Sequence, residues 1–328
     1  MIQRRQFISL VGGAAAAWPF AARAQQPAIS VVGILNSGGT DPYAVMNKAL
    51  VRGITEAGFA EGRHFSIVER FANGQFERLP ELAAELVRMP VALLAVPAGD
   101  TAARVAKQAT STIPVVFIVG GDPVQSGLVA GLNRPGGNLT GVTIFTLVLA
   151  EKRLELLRDL VPKGRLFGVL TNPANVNAKN DTRTLTEAGR KLGLDIMLQL
   201  ASTPDEIDRA FAAFAEQNVA AALVNGDPFF VNRRDQLAAL AARYSLPATY
   251  ALREHAVAGG LISYGTNLTQ AYHQVGVLAG RILRGEKAGD MPVEQPTKFQ
   301  LVVNLKTAKT IGMDVPESIM VRADEVIE

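Results

Sequence analysis

Ile29-Ser30-Val31-Val32-Gly33-Ile34-Leu35, followed at once by Asn36-Ser37-Gly38-Gly39-Thr40, decides the fold class. The first seven residues form the short apolar run of a strand buried on both faces, and the next five are turn formers. Beyond them Val45, Met46, Leu50 and Ile54 fall on one stripe of a helix over 43–57. This unit of strand, small polar loop and helix then repeats. A strand over 64–69, a helix over 79–89 with Leu79, Leu82, Leu86 and Val87 on one face, a strand over 91–96, a helix over 101–109, a strand over 115–119 and a short helix over 123–131 continue the series. Strands that return through helices at this spacing are joined by right-handed crossovers in a parallel sheet.

Arg134-Pro135-Gly136-Gly137-Asn138 is the strongest turn cluster in the chain. After it comes a crossing strand over 139–144, and the rhythm restarts. Helices are expected over 149–160, 182–192, 204–216 and 231–243, with strands over 166–170, 195–200, 220–224, 247–250 and 261–263. Two similar halves of about 115 residues predict an α/β protein of two doubly wound parallel-sheet lobes. A helix over 269–284, a strand over 299–303 and a last helix over 305–311 remain, enough to cross back to the first lobe and out again. The expected division is 28–143 plus 265–295 for lobe one and 144–264 plus 296–328 for lobe two. Two lobes joined by several strands form a hinge, and hinges close on ligands.

Residues 1–24 read as an export signal. Arg4-Arg5-Gln6-Phe7 precedes an apolar stretch over 7–20, which ends near a small-residue cleavage site at Ala22-Arg23-Ala24. The arginine pair, with Phe7 two places beyond it, resembles a twin-arginine signal. Gln3 and Ser9 depart from that signal's flanks and leave the general secretory route open. An apolar run of about 14 residues falls short of the roughly 20 that span a membrane. The 33 Lys+Arg and 30 Asp+Glu give +3, but Arg4, Arg5 and Arg23 leave with the signal, so the mature chain is neutral. It has no basic run longer than Arg233-Arg234, too little for a nucleic-acid backbone binder. There is no cysteine, so disulfides, thiol chemistry and amino-terminal lipid attachment are all excluded. The expectation is a monomer free in the periplasm, cleaved near Ala24 and without stable membrane insertion.

Catalytic constellations fail one by one. His64, His255 and His273 lack metal-ligand spacing. Ser263, in Gly260-Leu261-Ile262-Ser263-Tyr264-Gly265, misses the nucleophile-elbow spacing by one residue. Gly38-Gly39 lacks a dinucleotide or phosphate-loop pattern. A two-domain racemase of this outline needs paired cysteines. Glu81 and Glu85 are i, i+4 neighbours on a solvated helix face. No enzyme, cofactor or metal is expected.

Several stretches together carry a family resemblance. They are Arg78-Leu79-Pro80 with Leu82-Ala83-Ala84-Glu85-Leu86-Val87, Ala106-Lys107-Gln108-Ala109-Thr110, and Thr112-Ile113-Pro114-Val115-Val116-Phe117 with Asp122-Pro123-Val124. To these are added Gly127-Leu128-Val129, Leu132 through Gly141, Gly259 through Gly265, and Phe299 to Asn304. They resemble the ABC-transporter substrate-binding proteins that include tryptophan- and tyrosine-binding members, over essentially the whole mature chain. The resemblance implies a type I periplasmic-binding fold with three crossovers, a small-molecule ligand between the lobes, and a membrane permease and ATPase as partners. Relatives often carry a Gly-Thr/Ser turn after the third strand. This chain has Pro97-Ala98-Gly99-Asp100-Thr101, a carboxylate where a neutral hydroxyl would meet a ligand's own carboxylate.

Ligands of open parallel sheets sit beyond the carboxyl ends of the strands. Lobe one offers Asn36, Ser37, Gly99, Asp100, Thr101, Gly121 and Asp122 there, and lobe two Asn172, Asn175, Gly226, Asp227 and Tyr264. Ser37 or Thr101 at a helix start suits a ligand carboxylate, and Asp122 or Asp227 an ammonium. Tyr43, Phe145, Phe229 and Phe230 suit an apolar flank. Asp100 and Asp122 serve equally as helix caps, Asn172-Pro173 and Asp227-Pro228 as turn starters, and the two adjacent phenylalanines as core. The reading is an exported solute-binding protein of an importer, for an aromatic or branched-chain amino acid first. A ligand-sensing module for a membrane receptor and an exported two-domain enzyme are the alternatives.

Overall fold

The computed structural model describes residues 29–328 apart from Phe145 and Leu147, so the export signal and the flank assigned to Phe145 lie outside the described residues. Lobe one begins with β1 (Ser30–Asn36), α1 (Thr40–Glu56), β2 (Phe65–Phe71), α2 (Leu79–Arg88), β3 (Val91–Ala98), α3 (Asp100–Ala109), β4 (Val115–Val119) and β5 (Leu139–Thr143). Lobe two follows as α4 (Val148–Leu160), β6 (Leu166–Thr171), α5 (Ala178–Lys191), β7 (Asp195–Leu200), α6 (Pro204–Glu216), β8 (Ala221–Val224), α7 (Pro228–Asn232), α8 (Arg234–Arg243), β9 (Ala248–Tyr250), α9 (Arg253–Val257) and β10 (Ile262–Thr266). The chain continues as α10 (Leu268–Leu283), β11 (Phe299–Asn304), α11 (Leu305–Thr310), α12 (Glu317–Met320) and β12 (Glu325–Ile327).

One sheet runs β2-β1-β3-β4-β5, the other β12-β11-β10-β9-β8-β6-β7. All pairings in the first are parallel. In the second, β11 lies antiparallel to β10 and β12 parallel to β11. Alternation along β3 shows why both faces need helices. Leu93 and Ala95 join the core beneath α1 and α10, while Leu94 and Val96 join the core beneath α2 and α3. In lobe two, Phe167 and Val169 face α4 and α5, and Ala222 and Val224 face α6 and α8.

Helix α10 follows a lobe-two strand yet packs on α1 of lobe one. Glycine permits the approach. A Cβ on Gly276 would stand 2.0 Å from the Leu50 carbonyl oxygen, and one on Gly53 2.3 Å from that of His273. The chain then passes β5, where Val142 bridges to Glu294, before entering β11. Hydrogen bonds tie the three passages side by side. Thr266 Oγ1 donates to the Ile144 carbonyl at 3.1 Å, and the Thr143 amide to that of Glu294 at 3.0 Å.

Several elements differ from expectation. Residues 123–127 form turns and 128–131 irregular chain rather than a helix, because Gly127 takes φ 71° and turns the chain back within four residues of Pro123. The segment 231–243 is broken at Arg233, giving α7 and α8. The short α9, α12 and β12 carry too few residues to show a period.

Candidate ligand-binding cleft

The carboxyl ends of β1, β3 and β4 face those of β6, β8 and β9 across the passages, and the lobes touch. The Gly39 amide donates to Asn232 Oδ1 at 2.9 Å, and the Val176 amide to Thr101 Oγ1 at 3.4 Å. Gly99, at φ 92°, leaves room for Pro228: a Cβ there would stand 2.9 Å from the proline ring. Between the lobes is a cavity of about 50 Å³, several times the roughly 10–15 Å³ that one water needs. Tyr43, Pro97 to Asp100 and Ile118 to Gly120 line it from lobe one, and Asn175, Gly226 to Pro228, Val231, Ala251 and Leu252 from lobe two. Ile144, Thr146 and Leu268 of the passages close it.

Asp227 is the N-cap of α7, buried, and surrounded by donors. Its Oδ1 accepts from Asn172 Nδ2 at 3.0 Å and from the Phe229 amide at 2.8 Å, and its Oδ2 from Asn175 Nδ2 at 2.7 Å. Burial pushes its carboxyl above the usual range, against those three hydrogen bonds. Asp100, also buried, opens α3 without capping it. Its two oxygens accept from the Gly120 and Gly121 amides at 2.9 and 3.1 Å.

The other sequence-selected residues are distributed as follows. Asn36 folds back on its own turn, accepting from the Gly38 amide at 2.7 Å and donating to the Tyr272 hydroxyl at 3.4 Å. Ser37 donates to the Ala98 carbonyl. Asn172 is buried behind Asp227, outside the cavity lining. Gly121 and Asp122 lie in a neighbouring groove of about 500 Å³ with Arg104, Asn177, Asn180 and Asp181. Asp122 is exposed and accepts from the Val124 and Gln125 amides of its turn at 2.8 and 3.1 Å. Tyr264 packs on Phe299 at 6.3 Å between ring centroids, outside the cavity lining. Phe229 and Phe230 are core. Tyr43 lines the cavity, its ring 6.1 Å from that of Tyr272. Burial first, then the charges of Asp227 and Glu254, push the Tyr43 hydroxyl far above its ordinary range.

Two functional-looking residues escaped sequence reading. Arg153 is 0% exposed, and its Nη1 and Nη2 donate to the Tyr264 and Thr146 carbonyls at 3.1 and 2.9 Å, joining two passages. Asp181, 9% exposed, accepts from Asn225 Nδ2 at 2.9 Å. Burial raises its pKa to about 6, and Asp100 and Asp227 add to the shift. The helical spacing of both gave no sign of burial. Among the histidines, His255 stacks on Tyr250 at 5.0 Å, with burial lowering its pKa to about 4, and His273 pairs with Glu56 at 2.7 Å.

Two hinged α/β lobes around a polar-floored cleft define a solute-binding protein. The chain belongs to the ABC transporter substrate binding protein family, whose profile matches residues 29–327. It is similar to a tyrosine-binding protein from Clostridioides difficile (strain R20291), 25% identical over 266 residues, covering 81% of this chain and 76% of the relative. Its fold matches a conserved domain protein from Vibrio cholerae O1 biovar eltor with a TM-score of 0.84 at 24% identity, covering 90% of this chain and 99% of that one. An ABC domain in complex with L-Trp from Streptococcus pneumonia matches at 0.80 and 23% identity, covering 90% and 100%. The ligand-free, open structure of a substrate binding protein with adhesive properties from Clostridium difficile matches at 0.65 and 25%, covering 91% and 99%. Among the described residues no helix is long and apolar enough to cross a membrane.

Proposed function

We propose that this chain is the solute-capturing subunit of an ABC importer. Exported by the signal at residues 1–24, it works as a free periplasmic monomer that delivers its solute to a membrane permease and ATPase, and it performs no chemistry on that solute. The solute carries an ammonium and an apolar, aromatic or branched body, with the aromatic and branched-chain amino acids as the first class. Asp227 carries this reading: a buried carboxylate, held by Asn172, Asn175 and the Phe229 amide, lines a cavity whose other walls are mostly apolar. Its fixed orientation suits a charge-assisted hydrogen bond to an ammonium. The tyrosine-binding relative and the L-Trp complex support an aromatic body. Closure follows because contacts from both lobes exist together only in the closed state.

A thermal-shift panel of aromatic and branched-chain amino acids, their matching amines, aromatic acids and oligopeptides tests this. A ligand at 100 times its Kd stabilises the folded state by about 2.7 kcal/mol, an easily read shift. If only compounds lacking an amine raise the midpoint, the role of Asp227 falls. If no compound does, solute capture of this class falls.

A further inference from the structure

The cleft's charge and hydrogen bonding bear on which end of such a solute it recognises. Asp100 and Asp227 are the only charged side chains among the residues lining the cavity. Both are buried. Two consecutive backbone amides after β4, Gly120 and Gly121, have the geometry that receives an anion, and Asp100 already occupies both, one oxygen on each, at 2.9 and 3.1 Å. The protein has thus put its own carboxylate where a ligand's would be received. The first turns of α3, α7 and α10 also meet the cavity and favour an anion; that of α7 is already capped by Asp227, and that of α3 adjoins the Gly120 and Gly121 amides through Asp100. Asp100 is itself the first residue of α3, so a ligand carboxylate seated there lies beside it.

The surrounding charges do not reverse this. Asp181 lies in the neighbouring groove, where burial first, then the charges of Asp100 and Asp227, raise its pKa to about 6. The Arg153 guanidinium is committed to the carbonyls of Thr146 and Tyr264, and Arg234 lies 3.5 Å from Asp41 outside the cavity. A cation entering the cleft meets two carboxylates in a water-poor site, where charge interactions are much stronger than in bulk water. An anionic group meets the same two carboxylates and repulsion. Tyr43 adds an aromatic wall that suits a cation.

We propose that the cleft recognises its solute chiefly by the amine end and gains nothing from a carboxylate, so that within the aromatic and branched-chain class amines, amides and esters bind more tightly than the matching zwitterionic amino acids, which still bind. This rests on the reading that the cleft captures a solute.

Isothermal titration calorimetry of the purified protein at pH 7 tests it with matched pairs: tyramine and tyrosinamide against tyrosine, tryptamine against tryptophan, isoamylamine against leucine. The expected result is that the carboxylate-free member of at least one pair binds tenfold or more tighter than its amino acid. Asp100→Asn is expected to narrow that gap at least threefold, weakening the amine and strengthening the amino acid. The wild-type comparison needs no variant, so a misfolded Asp100→Asn leaves the test intact. Amino acids that bind as tightly as their amines, or tighter, overturn the selectivity while leaving solute capture standing. If no member of any pair binds at millimolar concentration, the capture reading falls and the selectivity with it.

Discussion

Lobe one is wound β2-β1-β3-β4-β5, and the first five strands of lobe two repeat that order as β7-β6-β8-β9-β10. Their cleft ends are furnished differently. In lobe one the polar groups satisfy one another: Asn36 bonds its own turn, Ser37 the end of β3, and Asp100 the amides after β4. In lobe two three side chains converge, with Asn172 and Asn175 aimed at Asp227, and a second buried pair, Asp181 and Asn225, lies behind them. A common winding places loops at the cleft, but the direction of each side chain decides whether a loop receives a ligand or only closes on one. Each lobe brings one buried carboxylate to the cavity, Asp100 held by backbone amides and Asp227 by two side-chain amides and one backbone amide.

The contrast breaks most sharply at Asp227. Asp227→Ala is expected to weaken binding of an amine-bearing solute by at least ~100-fold, about 2.8 kcal/mol, and to lower the melting temperature, because the Asn172 and Asn175 amides lose their buried acceptor. Calorimetric titration and a thermal scan read both. Retained affinity would place the ammonium contact elsewhere. In lobe one the comparable effect is purely structural. Gly276→Ala drives a methyl into the Leu50 carbonyl, an overpacking cost of about 2–3 kcal/mol in chemical denaturation. An unchanged stability would mean α1 and α10 are free to part.

Titration sharpens the picture in lobe two. Asp181 has its pKa raised to about 6 and His255 its pKa lowered to about 4, both by burial. Below about pH 4 the stability contributed by protonated Asp181 is fully present, and it is lost as pH rises through about 6. For His255 the sign is opposite: its contribution is present above about pH 6.5 and is lost as pH falls towards 4. The two oppose each other over one window. Asp181→Asn is expected to raise stability at pH 7.5 by about 1–2 kcal/mol and to leave a steeper loss on acidification from pH 6.5 to 4.5. Parallel pH curves for mutant and wild type would remove Asp181 from this account.

Closure contacts give smaller effects. Asn232→Ala deletes the hydrogen bond to Gly39 across the cleft, and is expected to weaken ligand binding threefold to tenfold, about 1 kcal/mol, with little change in unfolding of the free protein. Asp41, whose side chain is 96% exposed opposite Arg234, is expected to matter least. Asp41→Ala should change affinity and stability by less than about 0.5 kcal/mol. A larger loss there would show the ion pair to be a latch.

The architecture was legible because each buried strand is a short apolar run bounded by turn residues, as in Ile29 to Thr40, and each helix shows one apolar stripe. The turns after Pro123 were less so, since Gly127 acts through a positive φ that composition does not announce. Part of the cleft was legible for the same reason as the fold: strand ends carry polar loops, and Gly99, Asp100, Asn175 and Asp227 do line the cavity. Asp122 and Asp100 look alike in sequence, each just after a strand and before a helix or turn. Yet one caps an exposed turn and the other bonds two amides of a neighbouring loop. That difference depends on Gly99 at φ 92°, which swings the start of α3 toward β4. Arg153 was illegible because Lys152 and Glu155 beside it pair on the helix surface, and only the folded passages provide the carbonyls that bury a guanidinium.

Solute capture in the cleft is expected to draw the two lobes together. Small-angle scattering of the purified protein, titrated with the tightest-binding member of the amine and amino-acid panel, measures that contraction. The radius of gyration is expected to fall as calorimetric binding saturates, and Asp227→Ala to show no fall at the same concentration. Saturable binding with an unchanged radius of gyration, or a full contraction in Asp227→Ala, would contradict it.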